Sequence, residues 1–222
     1  MSLLLRIPFA LVFWVFTAGL VLASIDHFQS IRFASLWLLG LGAGFYLLFV
    51  LILSFFKRSM HFAHTFCHEL NHAFFSVLFL KKIKAFQAHA EKGGQVSFEG
   101  KNNLMITLAP YSVPLFALFT VLLKLLAEPR VFPAIHFVVG FFISFHLHSV
   151  FSEFRLYQSD LRVYGIFLSF AFVVFVNLLF LLWIISVSAD DFSAGFHFLK
   201  NAFFSLRDVG MFLVDKAMAV VK

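Results

Sequence analysis

Residues 161–187, LRVYGIFLSFAFVVFVNLLFLLWIISV, hold Arg162 as their only charged side chain. A helix needs about 20 mostly apolar residues to cross the hydrocarbon core of a bilayer, so this stretch predicts a membrane span. The whole chain has the same character, since 62% of its 222 residues are hydrophobic and 13% are charged. Soluble domains carry about 25% charged residues. We therefore expect an integral, multi-pass membrane protein in contact with the lipid bilayer, and no nucleic-acid binding despite the net charge of +6.

Five other stretches are apolar and long enough to predict spans, which makes about six transmembrane helices in an all-α fold. They are about Ile7–Ser24, Ala34–Phe56, Met60–Leu80, Leu104–Leu126 and Pro133–Val150. Pro110 and Pro114 are expected to break the helix of the fourth, because proline has no backbone N–H. The first stretch is expected to be retained as a span rather than cleaved as a signal peptide.

The connection between the third and fourth spans is polar and basic, KKIKAFQAHAEKGGQVSFEGKNN at residues 81–103. Its alternating pattern around Gly93-Gly94 predicts a short membrane-associated β-hairpin. Its five lysines and two glutamates favour the cytoplasmic side, whereas Lys57 and Arg58 then lie on the opposite side. Beyond Asp190, apolar and charged residues alternate at helical spacing, which predicts an amphipathic helix on the membrane surface.

The third predicted span contains His68-Glu69-Leu70-Asn71-His72, an H-E-x-x-H motif. Residues four apart share one face of a helix, so both imidazoles can reach one metal ion. Zn²⁺ accepts such ligands and, in catalytic sites, lowers the pKa of its bound water towards about 7. Glu69 is then expected to be the general base that activates this water. An ionised acid at the centre of a membrane costs about 2.5 kcal/mol or more, which favours a functional reason for its presence.

A third metal ligand must come from another part of the chain, and Asp160 is preferred because it opens the sixth predicted span. The alternative interpretation of Asp160 is a helix cap beside Ser159. Glu153 and His148 stay open as alternative ligands. Four side chains are otherwise expected to orient the ligands: His64, His146, His148 and Glu153.

These features together resemble the site-2 protease family of intramembrane zinc metalloproteases, over about His61 to Phe170. The resemblance implies zinc held by His68, His72 and Asp160, with Glu69 as the general base. It also implies that the hairpin guides an unwound peptide to the metal, which assigns substrate binding to Gly93, Gly94, Gln95 and Val96. Asp160 stands in Gln158-Ser159-Asp160-Leu161, whereas the family usually has Asp followed by Gly, and the family's asparagine is replaced by APYSVP at residues 109–114.

The predicted function is therefore that of a zinc metalloendopeptidase, a hydrolase that cleaves a membrane-embedded or membrane-proximal protein. Its transmembrane domain would cover residues 1–189, with a core of about 60–187, and the surface helix residues 190–222. In a bacterium it would reside in the cell membrane. One alternative is a membrane di-iron hydroxylase or desaturase, which the ten histidines favour and the absence of any His-His dipeptide disfavours. The other is a non-proteolytic metal-binding protein, either a transporter or a sensor.

Overall fold

The computed structural model describes residues 3–31, 36–56, 60–89, 93–155 and 158–221. The described chain is mostly helical with one small β-hairpin, which confirms that part of the predicted fold. The helices are α1 (Leu3–Ser30), α2 (Trp37–Phe55), α3 (His61–Leu78), α4 (Leu104–Ser112), α5 (Leu115–Leu122), α6 (Phe132–Glu153), α7 (Ser159–Tyr164), α8 (Ile166–Ala189) and α9 (Phe192–Val221). Two short 3-10 segments, Leu123–Leu125 and Pro129–Val131, connect α5 to α6.

Several of the described helices are long and apolar enough to cross a membrane. Four meet this condition singly: Leu4–Gln29, Trp37–Phe55, Pro129–Glu153 and Ile166–Ala189. A fifth crossing is possible for α4 and α5 together, although the pair bends by 80° at its break. Helix α3, predicted as the third span, is not in this set. The structure thus supports a membrane protein with four or five such helices, and the number of about six stays a prediction.

The bend between α4 and α5 has a local cause in Pro114. A residue before proline is driven out of the helical region, and Val113 is accordingly extended, with φ −114° and ψ 116°. Pro114 has no N–H to continue the helical hydrogen-bond ladder. The expected break is therefore present at Pro114, where it separates two short helices, whereas Pro110 lies inside α4 and does not end that helix.

Helices α2 and α6 approach each other closely through two glycines. A β-carbon on Gly42 would overlap the backbone carbonyl of Phe137, and one on Gly140 would overlap the carbonyl of Leu39. Side chains larger than hydrogen would therefore push the helices apart. This contact fixes the position of α6, whose C-terminal end carries Glu153.

Helix α9 packs against α1 and α8. Leu20 and Ala23 of α1 form a buried cluster with Phe198 and Ala202 of α9. At the start of α9, the Asp191 carboxylate accepts hydrogen bonds from the Ser193 hydroxyl and the Ala194 N–H, which lower its pKa. The tail is thus helical as predicted, and its location on the membrane surface stays a prediction.

The predicted hairpin is present as strands β1 (Ile83–His89) and β2 (Gly93–Phe98). The strands are antiparallel, with His89 opposite Gly93 and Phe86 opposite Val96. The positive φ of Gly93, 75°, is a conformation that glycine adopts without steric cost. Lys57 and Arg58, which bear on the predicted orientation, lie outside the described residues.

Helix α4 lies between α3 and α8 in the main core. Ile106 and Tyr111 of α4 pack in one buried cluster with Phe75 of α3 and with Phe172 and Val176 of α8. This apolar layer sets the height of α4 relative to α3. It therefore determines which groups of α4 face the motif histidines.

Candidate metal centre

Helix α3 turns several polar side chains inward, and two aromatic side chains of its N-terminal half face outward. His64, Glu69 and Asn71 are buried, whereas Phe62 and Phe66 are exposed at the surface. Polar groups in membrane helices generally face the interior of the bundle, where other groups can satisfy them. The motif therefore lies against the other helices rather than at the surface.

Asp160 meets both motif histidines. Its Oδ2 lies 3.5 Å from His68 Nε2 and 3.4 Å from His72 Nε2. The two Nε2 atoms are 3.2 Å apart. Three or more His, Cys, Asp or Glu side chains that lie close enough together can hold one metal ion. One such group is present among the described residues, and it consists of His68, His72 and Asp160.

Asp160 lies in the short helix α7, which corrects the predicted start of the sixth span. That span was expected to begin at Leu161, but Gly165, with a φ of 90°, separates α7 from α8. The residue at the N-terminal cap of α7 is Gln158, so Asp160 does not serve as the cap. Its carboxylate is instead directed at the histidines.

In each motif histidine, the ring nitrogen that faces away from Asp160 is Nδ1, and it has its own hydrogen-bond acceptor. His68 Nδ1 lies 2.8 Å from Glu153 Oε2, and His72 Nδ1 lies 2.8 Å from the backbone carbonyl oxygen of Ile106. Because a carbonyl and a carboxylate accept hydrogen bonds, each Nδ1 carries the proton and donates it. When the ring is neutral, this arrangement leaves its Nε2 lone pair directed towards Asp160 and able to bind a cation.

Pro110 explains why the Ile106 carbonyl is available. In an α-helix this oxygen would accept the N–H of the residue four positions later, which is Pro110 and has none. His72 Nδ1 supplies the missing donor. Pro110 thus leaves one carbonyl of α4 without its helical donor, and the hydrogen bond that satisfies this carbonyl also fixes the orientation of His72.

The three facing atoms fit a small divalent ion. Two lone pairs and a carboxylate oxygen at these distances repel one another unless a shared proton or a metal cation lies between them. Zinc bonds to nitrogen and oxygen of about 2.0–2.1 Å at tetrahedral angles place ligand atoms about 3.3 Å apart. The observed separations of 3.2, 3.4 and 3.5 Å agree with this spacing.

Glu69 lies beside this cluster, against strand β2. A β-carbon on Gly94 would overlap the side chain of Glu69, so the hairpin reaches the acid only because residue 94 is glycine. Glu69 is not one of the three clustered residues.

A cavity of about 840 Å³ contains the cluster and one side of the hairpin. Its lining includes His68, Glu69, His72 and Asp160. The predicted substrate-binding residues also line it, namely Gly93, Gly94, Gln95 and Val96. The structure therefore brings the predicted ligands, the predicted base and the hairpin to one cavity.

The four predicted orienting residues differ in position. Glu153 contacts His68, as expected for such a residue. His64 lines the cavity and shares a 3.2 Å contact with the Ser152 hydroxyl, and His148 Nδ1 lies 2.6 Å from the Tyr46 hydroxyl. His146 Nε2 lies 2.8 Å from Asn177 Oδ1 and belongs to a separate network.

Sequence reasoning missed three groups near the cluster: the Ile106 carbonyl, Tyr111 and Asn177. The first could have been found from Pro110, which removes the helical partner of residue 106. Asn177 is a polar side chain in an otherwise apolar span, a pattern that marks buried polar contacts. Tyr111 stands between two prolines and has no comparable signal.

Comparisons of the chain with protein-family models, with curated proteins and with solved structures gave no match.

Proposed function

We propose that this protein is an intramembrane zinc metalloprotease, a multi-pass membrane hydrolase that cleaves a membrane-embedded or membrane-proximal protein. The supporting observation is the convergence of His68, His72 and Asp160 with pairwise atom distances of 3.2–3.5 Å. Asp160 comes from a different helix, so this arrangement is not a consequence of the helical motif alone. The resemblance of the motif and hairpin to site-2 proteases supports the same function.

His68, His72 and Asp160 would hold the ion, which when bound supplies a water of lowered pKa and polarises the substrate carbonyl. Three protein ligands are typical of catalytic zinc sites, which keep a further position open. Glu153 and the Ile106 carbonyl keep the two imidazoles oriented through their Nδ1 protons. Glu69 accepts a proton from the attacking water and passes it to the leaving amine nitrogen.

The hairpin supplies a way to present a peptide. A transmembrane helix hides its peptide groups in its own hydrogen bonds, so a segment must unwind before it is cleaved. Extended substrate beside β2 would satisfy the freed groups through strand pairing. The position of Gly93, Gly94, Gln95 and Val96 in the cavity lining supports this role.

The cluster geometry favours a single ion over a di-iron centre. Of the four histidines on α3, His68 and His72 face Asp160, whereas His64 contacts Ser152. A transporter or sensor would use the same three ligands without needing Glu69. The function of Glu69 therefore separates a protease from a non-proteolytic metal-binding protein.

The test combines metal analysis with proteolysis. Protein purified in detergent should contain one zinc per chain, and the Glu69→Gln variant should retain this zinc while losing cleavage of a candidate membrane substrate. General-base catalysis is worth about 10²–10⁴-fold, so the loss should be of at least that order. The matched control is Glu99→Gln, an exposed hairpin acid paired with Lys84.

Each result that differs from this expectation points to a different function. Wild-type protein that binds two irons would support the hydroxylase instead. Zinc bound by wild type with equal cleavage by Glu69→Gln would remove Glu69 from the mechanism. Zinc bound with no cleavage of membrane proteins by wild type would favour the transporter or sensor.

A further inference from the structure

Helix α9 runs antiparallel to α1 where the two helices pack together. The rings of His27 and Phe198 have centroids 5.3 Å apart, and a β-carbon on Gly19 would lie 3.1 Å from the Cα of Leu206. Between these two contacts the chain advances by the same number of residues in both helices, in opposite directions, which is about 12 Å at a rise of 1.5 Å per residue. The two helices therefore lie side by side rather than crossing steeply.

This packing sets the depth of α9 relative to α1. Helix α1 is long and apolar enough to cross a membrane over Leu4–Gln29, and Gly19 lies about 4 Å along the helix from the middle of that stretch. Leu206, which contacts Gly19, lies at the same level. Arg207 and Asp208 follow in the direction of the middle. Where α1 crosses the bilayer, these two charged side chains are therefore near its centre.

The two charged side chains point away from the rest of the chain. The side chains of Arg207 and Asp208 are 54% and 62% exposed, whereas Phe198, on the opposite side of α9, is buried against α1 and α8. Residues three and four apart share one face of a helix. Phe204, Arg207, Asp208 and Met211 accordingly form one strip, which we call the outward face of α9.

The charges on the outward face neutralise each other only in part. Arg207 Nε and Nη2 donate to Asp208 Oδ1 over 2.9 and 2.8 Å. Both bonds end on one carboxylate oxygen, and they use two of the five guanidinium N–H groups. Ionisable side chains in membrane helices almost always face other protein groups or a water-filled cavity rather than lipid. The outward face therefore requires a polar partner from outside the chain.

A second copy of the chain supplies the complementary charges. Copies in one membrane have the same orientation, so a two-fold axis along the membrane normal brings the same face of each copy together. Arg207 and Asp208 are about 100° apart around the helix, on either side of a middle line that Phe204 and Met211 occupy. The two-fold rotation then places Arg207 of each copy beside Asp208 of the other.

We propose that α9 lies across the membrane beside α1, and that its outward face binds the same face of a second copy through two Arg207–Asp208 ion pairs. This location replaces the surface location that the amphipathic pattern of the tail predicts. Among the described residues that line the cavity at the metal cluster, none belongs to α9. The dimer contact is thus separate from the proposed zinc site.

Charge reversal with co-expression tests this contact. Arg207→Asp gives each copy two acids, and Asp208→Arg gives each copy two arginines, so either variant alone should lower the dimer fraction at least about tenfold. Co-expressed with different tags, the two variants should co-purify at the wild-type level, because the acids of one copy face the arginines of the other. This rescue also shows that both variants fold. The control is Arg130→Asp, which reverses an exposed arginine paired with Glu128 and should leave the dimer fraction unchanged.

A cross-linking experiment in native membranes tests the orientation of α9. Cys67, the one cysteine of the chain, is first replaced in a Cys67→Ala background. Oxidation should then link two copies of Met211→Cys through a disulfide. Phe212→Cys is the matched control, since Phe212 is as exposed as Met211 but lies about 100° further around the helix, and it should link at least several-fold less.

Four results overturn the inference. They are a monomeric wild-type protein in membranes, single charge variants that pair as well as wild type, co-expressed variants that do not pair, and equal cross-linking at positions 211 and 212. Co-purification of wild type with an unrelated membrane protein in place of the second copy also overturns it.

Discussion

Removing the Asp160 carboxylate and removing the Glu153 carboxylate should affect zinc binding very differently. The two acids meet opposite nitrogens of His68: Asp160 Oδ2 lies 3.5 Å from Nε2 and Glu153 Oε2 lies 2.8 Å from Nδ1. Only Asp160 also approaches His72 Nε2, at 3.4 Å. In the proposed zinc site, these positions favour Asp160 as a ligand and Glu153 as a partner that orients a ligand.

The expected magnitudes follow from these positions. Glu153→Ala leaves three ligands and removes one outer hydrogen bond, which should weaken zinc binding about 10–100-fold. Asp160→Ala leaves only the two imidazoles, so its loss of affinity should exceed this range. Zinc should then be absent from the purified protein at concentrations where Glu153→Ala still holds it.

The assay is zinc content by mass spectrometry after dialysis, together with chelator competition on both variants. Asp208→Ala, which removes an exposed acid paired with Arg207, is the control for loss of a carboxylate far from the cluster. Zinc retained in Asp160→Ala but lost in Glu153→Ala would refute the ligand assignment. The third ligand would then have to be Glu153, with a different rotation of His68.

Two further predictions concern glycines. Gly42→Ala should lower the unfolding temperature by several degrees, since overpacking costs about 1–3 kcal/mol, whereas Gly44→Ala, with open space around it, should be neutral or stabilising. Thermal unfolding in detergent measures both, and equal effects would contradict the close α2–α6 contact. Gly94→Ala should displace the hairpin from Glu69 and reduce cleavage while zinc content stays at the wild-type level. Full cleavage in this variant would show that the contact is not needed.

Much of the local structure could be predicted because it depends on neighbours in sequence. Helical spacing alone brings His68 and His72 to one face, and alternation around Gly93-Gly94 alone indicates the hairpin. The break in the fourth span follows from Pro114 by the same local reasoning. The length of apolar stretches predicted the membrane spans less well, because α3 carries too many polar residues to count as a span.

Composition and local spacing by themselves determined a helical membrane protein, a pair of histidines aligned on one helix, and a glutamate beside them. Only the tertiary structure decided which acid faces both histidines, that Pro110 releases a carbonyl for His72, and that Gly94 lies on Glu69. Such contacts join segments far apart in the chain, and their geometry depends on how closely helices pack, as at Gly42. Helix packing is a property of complementary surfaces rather than of any one periodic pattern, so it becomes visible only in three dimensions.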